Sequence, residues 1–193
     1  MEINLIRHGK SLYSDKTKIN MRNYENWSRN YDSSGVHVEK NYPLLTIEKV
    51  KTSELLLTSN LKRTKDSAAY LSPEASFVSS SLFRETELPV LQKFEFLKIK
   101  PIYWDILLRL LWLGGCSTKC ESYKEAKYRA VHAADSLVEF AENYSKITLI
   151  GHGFFNYLIS KELKKKKWKG NSRISFKNWE CTTYQYKNMG RFR

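Results

Sequence analysis

Three short apolar runs constrain this chain most: the run in Glu2–Arg7 around Ile3, Leu5 and Ile6, Leu55-Leu56-Leu57 in Glu54–Thr58, and Ile147–Ile150 after Lys146. Each is too short to be a helix with its own buried face, so each reads as a buried strand. Helical patterns fill the intervals: Asn60–Leu71, which ends before Pro73; Trp104–Leu113, which stops at Gly114-Gly115; and Gly153–Leu163. The longest is Glu121–Tyr144, where Tyr128, Val131, Ala134, Leu137, Val138 and Ala141 recur at helical spacing. Ala75–Val78 is expected to be a third strand in the order of the chain, and two short strands are expected near Arg173–Phe176 and Cys181–Tyr186. Residues 23–35, with Tyr24, Trp27 and Tyr31, read as a short helix or an ordered loop. Strands that alternate with helices predict an α/β protein: a three-layer α/β/α sandwich with a mostly parallel central sheet. No internal repeat or low-complexity linker divides residues 1–193, so one domain is expected, with 12–50 and 90–120 as candidate cap or lid elements.

The chain's 193 residues can bury a proper core, and 41% apolar with 13% aromatic content excludes a disordered chain. No positive N-terminal region leads into a long apolar run. The most apolar stretch, Ile106–Gly115, carries Arg109 and is too short to span a bilayer, so a cytoplasmic protein with no membrane span is expected. Cys116, Cys120 and Cys181 are odd in number and form no CxxC pair, which predicts free thiols. His132 is the one nearby candidate ligand, so no metal site is expected. The net charge of +13 is concentrated at the C-terminal end, where residues 161–193 hold eleven Lys/Arg against two Glu. The run Lys164–Lys169 reads as a solvated segment after a helix, whose C-terminus favours cations. No nucleic-acid-binding motif accompanies it, so nucleic acid is not an expected partner. The bulky residues Phe94, Phe96, Tyr103, Trp104 and Trp112 are read as core, with a lid over an apolar leaving group as the alternative.

Three of the predicted strands run into the same kinds of residue. The first leads into Arg7-His8-Gly9, the second into Ser59 and then Arg63, the last into Gly151-His152-Gly153. Parallel strands would bring these ends to one edge of the sheet, where ligands bind in such folds. Arginine presents a planar fork that matches phosphate oxygens, so two arginines define a site for a doubly charged anion. Neutral imidazole is a competent nucleophile toward phosphorus. Gly9, Gly151 and Gly153 let backbone approach the anion, and Gly153 would open a helix whose N-terminus favours negative charge. No GxSxG elbow is present, so phosphoryl transfer fits better than acyl transfer.

These segments resemble the motifs of the histidine phosphatase superfamily, the group that includes phosphoglycerate mutases. Leu5–Ser11 resembles the N-terminal RHG motif, Thr58–Thr64 the second-arginine segment, Leu82–Glu87 the segment of the acid, and Leu149–Gly153 the second-histidine motif. Glu121-Ser122 followed by Arg129 resembles the start of the long helix before that last motif. The resemblance implies a metal-independent phosphomonoester hydrolase with no cofactor and a small phosphorylated substrate. His8 would become phosphohistidine, Arg7, Arg63 and His152 would hold the phosphoryl oxygens, and Glu85 would be the acid and base. Glu87, two residues on, stays open as the alternative acid. Ser14 stands near where mutases of the family carry an Asn, and would replace its phosphate contact; Gly153 would add backbone. Leu88-Pro89 follows the acid segment in place of the family's Trp-containing stretch. A mutase-type phosphotransferase and a catalytically silent anion-binding protein are the alternative functions. His37 and His132 have no motif around them and are not expected in the site.

Overall fold

The computed structural model describes residues 1–91, 96–171 and 173–187. Its centre is a six-stranded sheet of order β3-β2-β4-β1-β6-β5. The strands are β1 (Glu2–Arg7), β2 (Leu55–Thr58), β3 (Phe77–Ser79), β4 (Lys146–Gly151), β5 (Lys169–Gly170) and β6 (Cys181–Gln185). β3, β2, β4 and β1 run parallel, while β6 lies antiparallel to β1 and β5 to β6. The helices are α1 (Met21–Ser33), α2 (Leu44–Lys51), α3 (Lys62–Leu71), α4 (Pro101–Leu113), α5 (Tyr123–Tyr144) and α6 (Gly153–Lys165). Among the described residues, no helix is long and apolar enough to cross a membrane.

Alternation along the strands divides the core in two. Ile3, Leu5, Leu57, Ile147 and Leu149 point toward α5 and α6, packing on Ala130, Ala134, Leu137, Phe155 and Ile159. Ile6, Leu56 and Ile150 point the other way, toward Val50 of α2 and Ala68 and Leu71 of α3. The result is the expected three-layer sandwich. A third cluster lies apart, where Met21 and Tyr24 of α1 meet Trp104 and Leu108 of α4. It is pinned by an antiparallel bridge between Ile19 and Ile99 and by the Trp104 indole N–H, which donates to the Ile19 carbonyl at 2.8 Å.

The expected elements appear with modest shifts. The segment 23–35 falls in helix α1 as far as Ser33, its start capped by the Asn20 side chain. α5 starts at a capping box in which Ser122 and Glu125 bond each other's backbone, two residues later than the periodicity suggested. α2 and the short β5 carried no signal in the pattern. Arg173–Phe176 is not a strand: the Ser175 N–H bonds the Thr182 hydroxyl instead of a ladder partner, and the Phe176 carbonyl is taken by the Arg7 guanidinium. The lysine run is the last turn of α6 and the turn after it, with Trp168 buried in the main core. Trp104 and Trp112 are core, but Phe96 and Tyr103 are exposed; Phe94 lies outside the described residues. Cys116, Cys120 and Cys181 are free thiols.

Candidate active site

The sheet register aligns the three strand ends. Arg7 pairs with Gly151 and Thr58 with Ile150, so His8, Ser59 and His152 leave the sheet at one level. Gly151 leaves room there for Asn156, whose side-chain Nδ2–H donates to the Ile6 carbonyl at 3.1 Å; a Cβ at 151 would lie 2.4 Å from the Asn156 oxygen.

His8 is buried. Its Nδ1 lies 2.7 Å from the Gly9 carbonyl, an oxygen that can only accept, so Nδ1 carries the proton. The lone pair is therefore on Nε2, where the Arg63 Nε–H donates at 3.2 Å. Burial holds the ring's pKa well below its ordinary value, and the positive charges of Arg63 and Arg7 add to that, against the Gly9 bond. His152 has no exposed surface, and its ring centroid is 5.2 Å from that of His8, edge to face. Its Nε2 meets the Ser59 hydroxyl at 2.8 Å, while Nδ1 is buried without a partner among the described residues. Burial depresses this ring too, followed by Arg63 and His8. Both imidazoles are thus neutral near pH 7.

Arg63, in the first turn of α3, is 3% exposed. Its Nη1 donates to the Asp32 carboxylate at 2.7 Å, and its guanidinium lies over the Tyr31 ring, 4.9 Å from the centroid. Arg7 is held by the Phe176 carbonyl, which leaves its buried Nε without a partner. A Cβ on Gly153 would come within 3.4 Å of that Nε and 3.3 Å of the Phe176 ring, so the glycine gives Arg7 its space.

Glu85 is anchored to the helix that follows the second histidine. Its Oε1 accepts the Phe155 N–H at 2.9 Å and the Thr86 N–H at 2.9 Å; its Oε2 accepts the Phe154 N–H at 3.1 Å. The N-terminus of α6 thus carries a carboxylate of the chain itself, the charge its dipole favours. Two arginines hold the acid segment. Arg109 donates to the Thr86 hydroxyl at 2.5 Å and lies over the Phe154 ring. Arg129 donates to the Leu82 and Arg84 carbonyls at 2.9 Å, pairs with Glu121, and stacks on Phe155, 3.8 Å from its centroid.

Arg7, Ser14, Arg63 and Glu85 line one open cavity of about 1130 Å³, with α1 on one side and α4 on the other. Glu87 lines it too, but among the described residues the bonds to the α6 terminus come from Glu85. His37 is exposed, and His132 packs on Tyr128 of α5, away from the cavity. Sequence reasoning missed Asp32 and the C-terminal turn. In that turn Asn178 donates to the His8 carbonyl at 2.8 Å, the Trp179 N–H donates to the Arg7 carbonyl at 2.9 Å, and the Trp179 ring packs against Gly9. The Asn178-Trp179 pair, just beyond the segment read as a strand, had no periodicity to mark it. Among the described residues, no group of three His, Cys, Asp or Glu could hold a metal ion.

Several solved structures share this architecture. One is the open reading frame Rv3214 from Mycobacterium tuberculosis, with TM-score 0.60, 15% identity, and coverage of 97% of this chain and 92% of that one. Another is a mutant phosphoserine phosphatase from Entamoeba histolytica in complex with phosphoserine, at 0.60, 13%, 96% and 91%. A third is the mycobacterial glucosyl-3-phosphoglycerate phosphatase Rv2419c in complex with VO3, at 0.58, 16%, 94% and 90%. No curated protein matches the chain in sequence. Identities this low establish the fold alone. A family model carries the assignment further: it matches residues 44–192, a span that holds Arg63, Glu85 and His152 and begins after His8. With that match laid over a sheet whose parallel strands end at these residues, the chain belongs to the histidine phosphatase superfamily, branch 1.

Proposed function

We propose that this protein hydrolyses phosphomonoesters through a phosphohistidine on His8. The observation that carries the reading is the state of His8: a neutral ring, proton fixed on Nδ1 by the Gly9 carbonyl, lone pair on Nε2 beside the Arg63 guanidinium. A nucleophile needs that lone pair, and the transferring group needs that cation.

In the proposed cycle, Arg7, Arg63 and His152 bind the phosphoryl oxygens; the Arg7 Nε–H has a bond to give, and so has His152 Nδ1–H in the tautomer whose Nε2 accepts from the Ser59 hydroxyl. His8 Nε2 bonds to phosphorus as the bond to the ester oxygen breaks. Glu85, a carboxylate in the resting site, takes a proton from the phosphomonoester monoanion as it binds and gives that proton to the departing oxygen. The carboxylate so formed takes a proton from water as the water oxygen bonds to phosphorus and the phosphorus–nitrogen bond breaks, its electron pair returning to Nε2. Inorganic phosphate and the alcohol are the products. Ser14 and Gly153 complete the phosphate pocket in this reading, and α1 and α4 cap it within a single domain. The relatives' phosphatase names support hydrolysis over the mutase alternative.

His8→Ala should cut hydrolysis of p-nitrophenyl phosphate to below roughly one-thousandth of wild type, the scale of losing a nucleophile. Wild-type turnover in that variant would sink the mechanism. Isomerisation of a phosphoglycerate without phosphate release would assign mutase chemistry instead.

A further inference from the structure

The cavity is larger than a phosphoryl group requires, and its wall is lopsided. Its volume of about 1130 Å³ exceeds the roughly 300–1,000 Å³ of ordinary small-molecule pockets. Arg7 and Arg63 supply positive charge to its floor, with Asp32 paired to Arg63 and Glu85 in the same lining. One wall includes helix α4, whose exposed apolar residues take in Tyr103 within the cavity and Leu111 and Leu113 outside it. Trp104, Leu108 and Trp112 are fully buried. Asp105 and Arg109 are engaged by the Tyr24 hydroxyl and by Thr86. Ile102, Ile106 and Leu110 line the cavity at successive four-residue steps, yet remain 57%, 52% and 62% exposed. The outer face of a surface helix is ordinarily polar, so an aliphatic stripe there marks a contact. Leu88, Pro89 and Val90 extend the same apolar wall from the segment after Glu85. The stripe runs about 12 Å from Ile102 to Leu110, by the rise of a helix.

We propose that the substrate class is the phosphomonoester of a long-chain aliphatic alcohol. Its phosphate rests on Arg7 and Arg63, and its hydrocarbon lies along Ile102, Ile106 and Leu110. This rests on the phosphatase reading above and adds the identity of the leaving group. The stripe and the two arginines belong to one continuous cavity, which argues for an amphiphile that spans both over a partner that covers the helix alone.

The test is a series of n-alkyl phosphates from butyl to decyl, kept below their micelle-forming concentrations, with glycerol phosphate and p-nitrophenyl phosphate alongside. kcat/KM should rise about two- to fourfold per methylene, the value of burying one, and glycerol phosphate should be the poorest substrate. The pair Ile106→Asn with Leu110→Asn should flatten the slope against chain length, with the largest loss at decyl. Turnover of p-nitrophenyl phosphate without any rise along the alkyl series overturns the substrate class and leaves the phosphatase reading standing. Absence of hydrolysis on every ester overturns both. A flat series, with a wild-type dimer that the double variant makes monomeric, assigns the stripe to a second copy and also overturns the proposal.

Discussion

The charge states of two buried imidazoles make this site sensitive to acid. His8 and His152 both have pKa values well below 6.5, chiefly because burial disfavours the imidazolium. The unfolded chain therefore binds these protons first as pH falls through 6.5. Stability is fully present above that value and is lost below it, until the folded values are reached, by about 1.4 kcal/mol per pH unit for each histidine. Urea unfolding at pH 7.5 and 5.5 should show this fall, and His8→Asn should remove about half of the slope between pH 6.5 and 5.5. The two glutamates separate by their bonds. Glu85 is held at the start of α6 by three backbone N–H groups, whereas Glu87 shares only the cavity. Glu85→Gln should lower kcat by about 10²-fold or more, within the range for a positioned acid, and Glu87→Gln by far less. The reverse order in steady-state assays would move the acid to Glu87.

Between elements, the close fit is the C-terminal turn against the end of β1. Gly9 lies so near the Trp179 ring that a Cβ there would sit 2.0 Å from its Cζ2. Trp179 is itself fixed, since it packs edge-on to Tyr42 at 4.8 Å and its carbonyl accepts the Thr46 hydroxyl at 2.6 Å. Gly9→Ala should therefore destabilise the protein by about 1–3 kcal/mol, the usual cost of overpacking, and should lower kcat by displacing His8. Adding Trp179→Leu should recover part of both losses, because the two positions are in contact and their effects cannot add independently. Losses that simply sum in urea titrations would argue against the contact. Most of the elements were legible from periodicity, because buried strands and amphipathic helices write their faces into the chain. Arg173–Phe176 read as a strand for the same reason, and failed because its polar groups serve Arg7 and Thr182 instead of a neighbouring strand.

Across the molecule, α4 packs into two hydrophobic clusters at once. Trp104 and Leu108 belong to the cluster with α1, and Trp112 to the main core with α5 and α6. That cluster is thus tied to the sandwich through α4, and also through the pairing of Asp32 of α1 with Arg63 of α3, and both α1 and α4 line the cavity. Trp104 has no exposed surface and donates its indole N–H to Ile19. Trp104→Ala should cost about 3–5 kcal/mol in urea unfolding.

By itself the sequence determined most of the strands and helices in chain order, the mostly parallel sheet, and the arginines, histidines and glycines that gather at three strand ends. Those features are local or periodic: each is written within one strand, one helix or one turn. Only the tertiary structure decided how the site is held. Asp32 reaches Arg63, Glu85 reaches the start of α6, Asn178 reaches the His8 carbonyl, and Ile102, Ile106 and Leu110 of α4 line one cavity with Arg7 and Arg63. These contacts join residues about 30 to 170 positions apart, and no local pattern encodes them, because a hydrogen bond across the fold leaves no period in the chain that makes it.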